Sequence, residues 1–366
     1  MKLSTTPLSR SLTLAPLVMQ SLTVAVCALL AIEPLSTRAA TVNVDVGLEK
    51  PVVVDNSKPV KLAVFIETAS NSAVQSTIEG AREKAKQYGF AVSVFDAHFD
   101  VATQLNQMQN ALLAGYNAWL VVPVEGSQLC DTVAKTAPQA NVLVALATGA
   151  ACGRSSNEGE ALWAPGTLTY VGGNETPDAF KAVMMRAIND GREPQRVGVL
   201  TGPNLHPITV SFDKALDEVT KENPQFKVVA KYRTDYSPAD NLAKTQAMLQ
   251  AHPDITVIIG AYTNMSKGAV PAIQSAGKTG KIRVYEAGGT KWSVNALSQG
   301  SIQATTGFYR RTAAETAVQA ILDARAGKKV ARVFLNDGHA LIPGQAPGSV
   351  GIVTNANVSS YQPESP

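Results

Sequence analysis

Residues 61–95 constrain the fold of this chain more than any other stretch. Lys61-Leu-Ala-Val-Phe-Ile-Glu67 is a mostly apolar run of strand length. Apolar side chains then recur at Val74, Ile78, Ala81, Ala85 and Tyr88, in steps of four and three that put them on one face of a helix. Gly89 stops that helix, and Phe90-Ala-Val-Ser-Val-Phe95 is again strand-like. Strand, helix and strand in succession make a βαβ unit, and the same rhythm continues to near the C-terminus.

Two blocks of this alternation follow each other. The first has expected strands at 61–67, 90–95, 118–124, 141–147 and 168–172, with helices in the first three gaps. One of these helices carries Val101, Leu105, Met108 and Leu112 on one stripe. The fourth gap, 148–167, is rich in Gly, Ser and Glu and reads as a long loop. The second block opens with a helix near Pro177, a residue suited to a first helical turn because its missing N–H has no partner to lose there. Strands are expected at 196–201, 226–232, 255–260, 281–287 and 301–306. The helices between them carry Phe212, Leu216 and Val219, then Leu242 and Leu249, then Met265, Ala269, Ile273 and Ala276. A last helix, about 311–326, precedes strands near 330–335 and 350–354 and a Gly/Pro-rich stretch at 338–349. Residues 40–60 lack clear periodicity and hold Pro51 and Pro59, so they read as a lead-in arm. The pattern is α/β: two lobes of similar architecture, each a parallel sheet flanked by helices.

The first 39 residues have the pattern of a cleaved secretory signal. Lys2 and Arg10 make a basic start, a mainly apolar stretch runs from Leu12 to Ile32, and Thr37-Arg38-Ala39 has small residues at the −3 and −1 positions of a cleavage site. The rival reading, an uncleaved anchor, is weakened by Pro16 and Gln20. Cys27 follows Val26, which does not suit a lipoprotein box. The whole chain has a net charge of +3, and loss of the leader lowers it to about +1, so nothing in the charge favours nucleic acid or a membrane surface. Cys130 and Cys152 then remain, and an exported compartment allows them to pair.

Signatures of catalysis and of cofactor binding are missing. The four histidines, His98, His206, His252 and His339, are scattered, and no Cys-x-x-Cys occurs. The chain has no Gly-x-Gly-x-x-Gly after its first strand, no Gly-x-x-x-x-Gly-Lys-Ser/Thr and no Gly-x-Ser-x-Gly elbow. The expectation is a binding protein without enzyme activity, cofactor or metal.

Four segments carry a resemblance. Glu79-Gly-Ala-Arg-Glu-Lys-Ala-Lys-Gln-Tyr-Gly-Phe90, Ala114-Gly-Tyr-Asn-Ala-Trp-Leu-Val-Val-Pro-Val124, Ala251-His-Pro-Asp-Ile-Thr-Val-Ile-Ile-Gly-Ala261 and Ile352-Val-Thr-Asn-Ala-Asn-Val-Ser-Ser-Tyr361 resemble, in order and spacing, the type I periplasmic solute-binding proteins of the ribose-binding-like family that serve ABC transporters. The resemblance spans about 61–361. It implies two Rossmann-like lobes joined by a three-stranded hinge, with crossings near Gly173–Asn174, Thr306–Gly307 and Leu335–Asp337. One lobe would comprise 61–172 plus 308–334, and the other 173–307 plus 335–361. A ligand would bind in the cleft, and the closed form would present it to a membrane permease.

The cleft positions depart from the sugar-binding pattern of that family. Asn71 matches a polar cleft residue, but Ala73 and Val74 stand where two stacking aromatics are usual. Thr148-Gly149 replaces an acid–arginine pair, and Ile208 falls near the place of a second arginine. Tyr262 stands for an asparagine, Gly288 for an aspartate and Phe308 for a polar residue. Candidate ligand-binding residues are therefore taken from the ends of the strands. Glu67 either receives a ligand cation or hydroxyl or is a solvated loop carboxylate, and Glu125 either faces ligand or caps the turn after it. Tyr262, Trp292, Phe308 and Tyr309 either stack on a ligand or pack the lobe. Asn174, Asn264 and Thr148 offer hydrogen bonds, and His206 either touches ligand or caps a helix. Asp96 and His98 read as structural, while Arg310 and Arg311 either pair with carboxylates or form a docking face. The expected function is capture of a small polar ligand (modified sugar, polyol or cationic metabolite) by a monomeric periplasmic protein for an ABC importer. The alternative is a ligand-sensing partner of a membrane histidine kinase.

Overall fold

The computed structural model describes residues 40–191, 194–335 and 351–366, so the leader, the stretch 338–349 and part of the third crossing lie outside the described residues. The chain begins with β1 (Thr41–Val44) and β2 (Val52–Asp55) and continues with β3 (Lys61–Ile66), α1 (Ser72–Gln87), β4 (Ala91–Asp96), α2 (Val101–Leu113) and β5 (Ala118–Val121). A π-helical turn, Thr132–Thr136, runs into α3 (Ala137–Gln139), followed by β6 (Leu143–Ala147) and β7 (Thr169–Gly172). Next come α4 (Pro177–Asn189), β8 (Gln195–Thr201), α5 (Pro207–Glu222), β9 (Phe226–Arg233), α6 (Pro238–Ala251) and β10 (Val257–Gly260). The remaining elements are α7 (Thr263–Ser275), β11 (Arg283–Glu286), α8 (Lys291–Ser298), β12 (Ala304–Thr306), α9 (Arg310–Arg325), β13 (Val333–Leu335) and β14 (Ile352–Thr354).

Strands β3 to β14 form two six-stranded sheets. The first, in the order β13-β7-β6-β5-β3-β4, is parallel throughout. The second, β14-β12-β11-β10-β8-β9, is parallel except for β14, which runs antiparallel to β12. The fold is thus α/β with two lobes, as the strand rhythm predicts. Its central strands read as continuous apolar runs because helices cover both of their faces. Leu62 to Ile66 are fully buried, and Phe65 packs against Phe95 and Trp119 with ring centroids 5.1 Å apart in each case.

The helices start where local chemistry satisfies their first N–H groups. Asn71 caps α1 by accepting from Ala73 N at 2.9 Å, and Asp100 caps α2 by accepting from Thr103 N. Thr290 and Ser293 form a capping box on α8, and Pro opens α4, α5 and α6. Among the described residues no helix is long and apolar enough to cross a membrane.

The arm at 40–60 is more ordered than its sequence suggests. β1 and β2 pair as an antiparallel hairpin, and Val44, Val46, Val52, Val54 and Val60 are buried in the first lobe's core. The signal was the in–out alternation of Val52-Val53-Val54, too short to stand out beside two prolines.

Cys130 and Cys152 are joined by a disulfide that closes a loop with a sequence separation of 22. It ties the start of the long 148–167 loop to the segment after β5. That loop crosses to the other lobe: Ser211 Oγ donates to the Ser155 carbonyl at 2.5 Å, Lys214 Nζ donates to the Ser156 carbonyl at 2.6 Å, and Glu158 accepts from Asp178 N at 3.0 Å. Replacing both cysteines by serine should lower unfolding stability by roughly 3 kcal/mol, the usual effect for a loop of this length. Urea denaturation of the oxidised protein and the double variant measures this, and equal midpoints would show that the bond constrains nothing in the unfolded chain.

Candidate functional site

The C-terminal ends of the strands in both sheets, together with the first two crossings, converge on one buried cluster. In such sheets this edge is where ligands bind. Glu67 follows β3, Phe99 follows β4, and Asn174 and Glu175 follow β7. From the second lobe come His206 before α5, Tyr236 before α6 and Tyr262 before α7. Phe308 and Arg310 lie at the β12–α9 crossing.

The cluster is built around an ion pair. Arg310 Nη1 donates to Glu67 Oε1 at 3.1 Å and lies 3.5 Å from Oε2, with both residues buried. A carboxylate this deep requires a partner, and Arg310 supplies it. Of the two readings of Glu67, the solvated loop carboxylate is corrected, because the side chain is buried and its charge is met by Arg310 within the chain. Burial alone would lower the pKa of Arg310, but Glu67 and Glu175 more than reverse that effect and hold it above its ordinary value. Burial, with Glu67 adding to it against the opposing pull of Arg310, pushes the Glu175 carboxyl up to about 7.

His206 stands beside the pair, with Nε2 4.0 Å from Glu67 Oε1 and Nδ1 3.0 Å from the Tyr236 hydroxyl. That hydroxyl also meets Thr209 Oγ1 at 3.2 Å. Burial, and then the charge of Arg310, lowers the His206 pKa to about 3, so its ring is neutral at ordinary pH. Two buried nitrogens of this group, His206 Nε2 and Arg310 Nε, have no hydrogen-bond partner.

A continuous chain of rings closes over these groups. Phe99 stacks on Tyr236 with centroids 5.9 Å apart, Tyr236 meets Tyr262 at 6.4 Å, and Tyr262 stacks on Phe308 at 5.7 Å. Phe99 and Tyr236 come from opposite lobes, and both have left-handed backbone, with φ of 57° and 65°. That conformation costs a non-glycine residue about 1–3 kcal/mol and is tolerated where the surroundings enforce it. Here the Phe99 N–H donates to the Glu67 carbonyl at 2.7 Å, and Tyr236 packs over Gly202, where a Cβ would come within 2.2 Å of its ring.

The other candidates from the sequence are spread around this centre. Asn174 Nδ2 donates to the Gly307 carbonyl and so ties the first crossing to the second. Thr148, at φ 68°, accepts through its carbonyl from the Tyr170 hydroxyl at 2.9 Å, and Gly149 abuts Pro207. Asn71 is engaged as the α1 cap. Glu125 accepts from Gln128 and serves its own turn. Asn264 is half-buried in the first turn of α7. Of the expected aromatic group, Tyr262 and Phe308 stack on each other, while Trp292 is partly buried against the second lobe's core. Arg311, partly exposed, fits the carboxylate-pairing alternative: it pairs with Glu79 and Glu83 of α1. Sequence reasoning missed Phe99, Tyr236 and Glu175. The available signal for the first two was an aromatic in a short polar loop just after a strand.

Removing one partner of the ion pair strands the other. Arg310→Met should destabilise the protein by about 3–5 kcal/mol, the usual effect of an uncompensated buried charge. The double variant Glu67→Gln/Arg310→Met should recover most of the loss in urea denaturation, and additive losses would contradict the pairing. The two titrating neighbours act in opposite directions on stability. Glu175, raised from 4.5 to about 7, contributes stability that is fully present below pH 4.5 and is lost as pH rises through about 7. His206, lowered from 6.5 to about 3, contributes stability that is present above pH 6.5 and is lost as pH falls through about 3. Their slopes therefore offset each other where the two ranges overlap, from pH 4.5 to 6.5. His206→Gln should expose a fall in stability from about pH 4.5 to 7, and Glu175→Gln a rise from about pH 3 to 6.5, in denaturation series across pH.

Comparison with known proteins places the fold. The profile of the family described as periplasmic binding protein domain matches residues 62–329. The ribose import binding protein of Bacillus subtilis is 26% identical over 285 residues, covering 78% of this chain and 88% of its own. The xylitol-binding protein of Mycolicibacterium smegmatis is 25% identical over 252 residues, covering 69% and 68%. Among solved structures, an ABC transporter solute-binding protein from Bacillus halodurans with bound myo-inositol superposes with a TM-score of 0.70 at 17% identity, over 84% of this chain and 98% of its own. Its fold is therefore shared with this chain. The chain belongs to the periplasmic binding protein family.

Proposed function

We propose that this chain captures an uncharged, hydroxyl-rich molecule, a sugar or polyol, between its lobes and delivers it to the permease of an ABC importer. It does so in the periplasm, after export directed by residues 1–39, and by binding and closure rather than by catalysis. The observation that carries this reading is the polar set at the lobe interface: a self-compensated Glu67–Arg310 pair, a neutral His206 with Nε2 free, and Arg310 Nε free.

The charges decide between ligand classes. An anion would be drawn to Arg310 but would face both Glu67 and Glu175. An ammonium group finds Glu67 already paired and has no lone pair to offer the free Arg310 donor. A hydroxyl both donates and accepts, so it suits His206 Nε2 in either ring tautomer, and it accepts from Arg310 Nε. The Tyr262–Phe308 stack offers an apolar face of the kind that packs against the C–H side of a sugar ring. The names of relatives agree: the curated ones are named for ribose and xylitol, and a solved one holds myo-inositol.

A thermal-shift and calorimetric screen of residues 40–366 against ribose, xylitol, myo-inositol, choline and gluconate tests this. A sugar or polyol at a hundredfold its Kd should stabilise by about 2.7 kcal/mol. His206→Ala should weaken that binding about tenfold, the effect of one lost hydrogen bond of ordinary strength. Stabilisation by choline or gluconate alone, or sugar binding that His206→Ala leaves unchanged, would overturn the reading.

A further inference from the structure

The end of the chain touches helices of both lobes and takes no part in the ligand cluster. The Tyr361 ring is buried, and its hydroxyl donates to the Gly289 carbonyl at 2.8 Å. It lies against the junction at which Gly288 bridges Gly307, where a Cβ on Gly289 or Gly307 would come within 2.4 or 2.7 Å of that hydroxyl. Three residues on, the Glu364 carboxylate accepts from Thr312 N at 3.1 Å and from the Thr312 hydroxyl, in the first turn of α9. The Glu364 carbonyl accepts from Ser76 Oγ of α1 at 3.1 Å. α1 and α9 bury their apolar faces in the first lobe's core. The next residue, Ser365, is buried, and its carbonyl accepts from Lys291 N at 2.9 Å, the first residue of α8 in the second lobe.

The first turn of a helix has N–H groups without intrahelical acceptors and carries the positive end of its dipole. The tail therefore satisfies such a group in one helix of each lobe, and for α9 it stands in for an N-cap residue, Tyr309, that makes no side-chain cap bond. The two grips sit on adjacent residues, whose Cα atoms are about 3.8 Å apart. Such a short link cannot stretch, so a lobe rotation that separates the α8 and α9 N-termini has to break one of them.

We propose that the C-terminal tail is a strap across the hinge, with Glu364 holding the first lobe and Ser365 the second, so that the lobes open only as one grip releases. This proposal concerns lobe motion and needs no ligand, so it stands or falls apart from the choice of ligand.

Three variants of the full mature chain test it: removal of residues 362–366, Glu364→Ala, and a Gly-Ser-Gly-Ser insertion between Glu364 and Ser365. The insertion lets each grip form but removes the short link between them. Small-angle X-ray scattering reads lobe opening, and hydrogen exchange reads the first turns of α8 and α9. Removal of the tail should speed exchange about fivefold at both first turns, as loss of an ordinary cap does. Both the removal and the insertion should increase the radius of gyration. If the tail-less protein fails to fold, as judged by circular dichroism, Glu364→Ala and the insertion decide the matter. An insertion variant with native scattering would overturn the proposal, since the tail would then be two independent caps. Unchanged scattering and exchange in all variants that fold would overturn it as well.

Discussion

The buried Glu67–Arg310 pair is the interaction on which the lobe interface depends. Both partners approach from strand and helix ends that pack with the first sheet, while His206, Tyr236 and Tyr262 approach from the second. Two charges taken out of water are costly, and their mutual attraction offsets that cost only with good geometry and further hydrogen bonds. Closing the lobes over this pair therefore removes solvent from groups that still have unpaired nitrogens. A molecule able to pair with those nitrogens lowers the free energy of the closed form specifically, which is the condition for shifting a population.

The surrounding contacts fit that economy. The Phe99–Tyr236 stack spans the two lobes on strained backbone, and the disulfide-anchored 148–167 loop reaches α4 and α5 of the second lobe. Each contact is individually modest. Hinge-bending proteins need the open and closed forms to differ by only a few kcal/mol, and many weak contacts around one costly pair give such a balance.

Most of the fold was legible in the sequence because a doubly wound sheet writes itself locally. Runs such as Leu62–Ile66 and Leu143–Ala147 are apolar throughout because both of their faces are covered, and the helical stripes between them are regular. The β1–β2 hairpin was not legible, because four-residue strands beside Pro51 and Pro59 leave only a short alternation. The site was legible in part. Position after a strand marked Glu67, His206, Tyr262 and Phe308, but not which charge meets which. Arg310 lies 243 residues from Glu67, and nothing in the local sequence of either announces the other. Trp292 shows the converse: a well-placed aromatic that packs, partly buried, against the margin of the second lobe's core.

The measurement that tests this account most directly is the nitrogen NMR spectrum of the His206 imidazole across pH. A ring buried against Arg310 should stay neutral from pH 5 to 8 and remain bonded at Nδ1 to Tyr236. Tyr236→Phe should then shift the Nδ1 signal while leaving the ring neutral. A His206 that instead titrates near its ordinary value of 6.5 would mean that the lobes do not close over the Glu67–Arg310 pair.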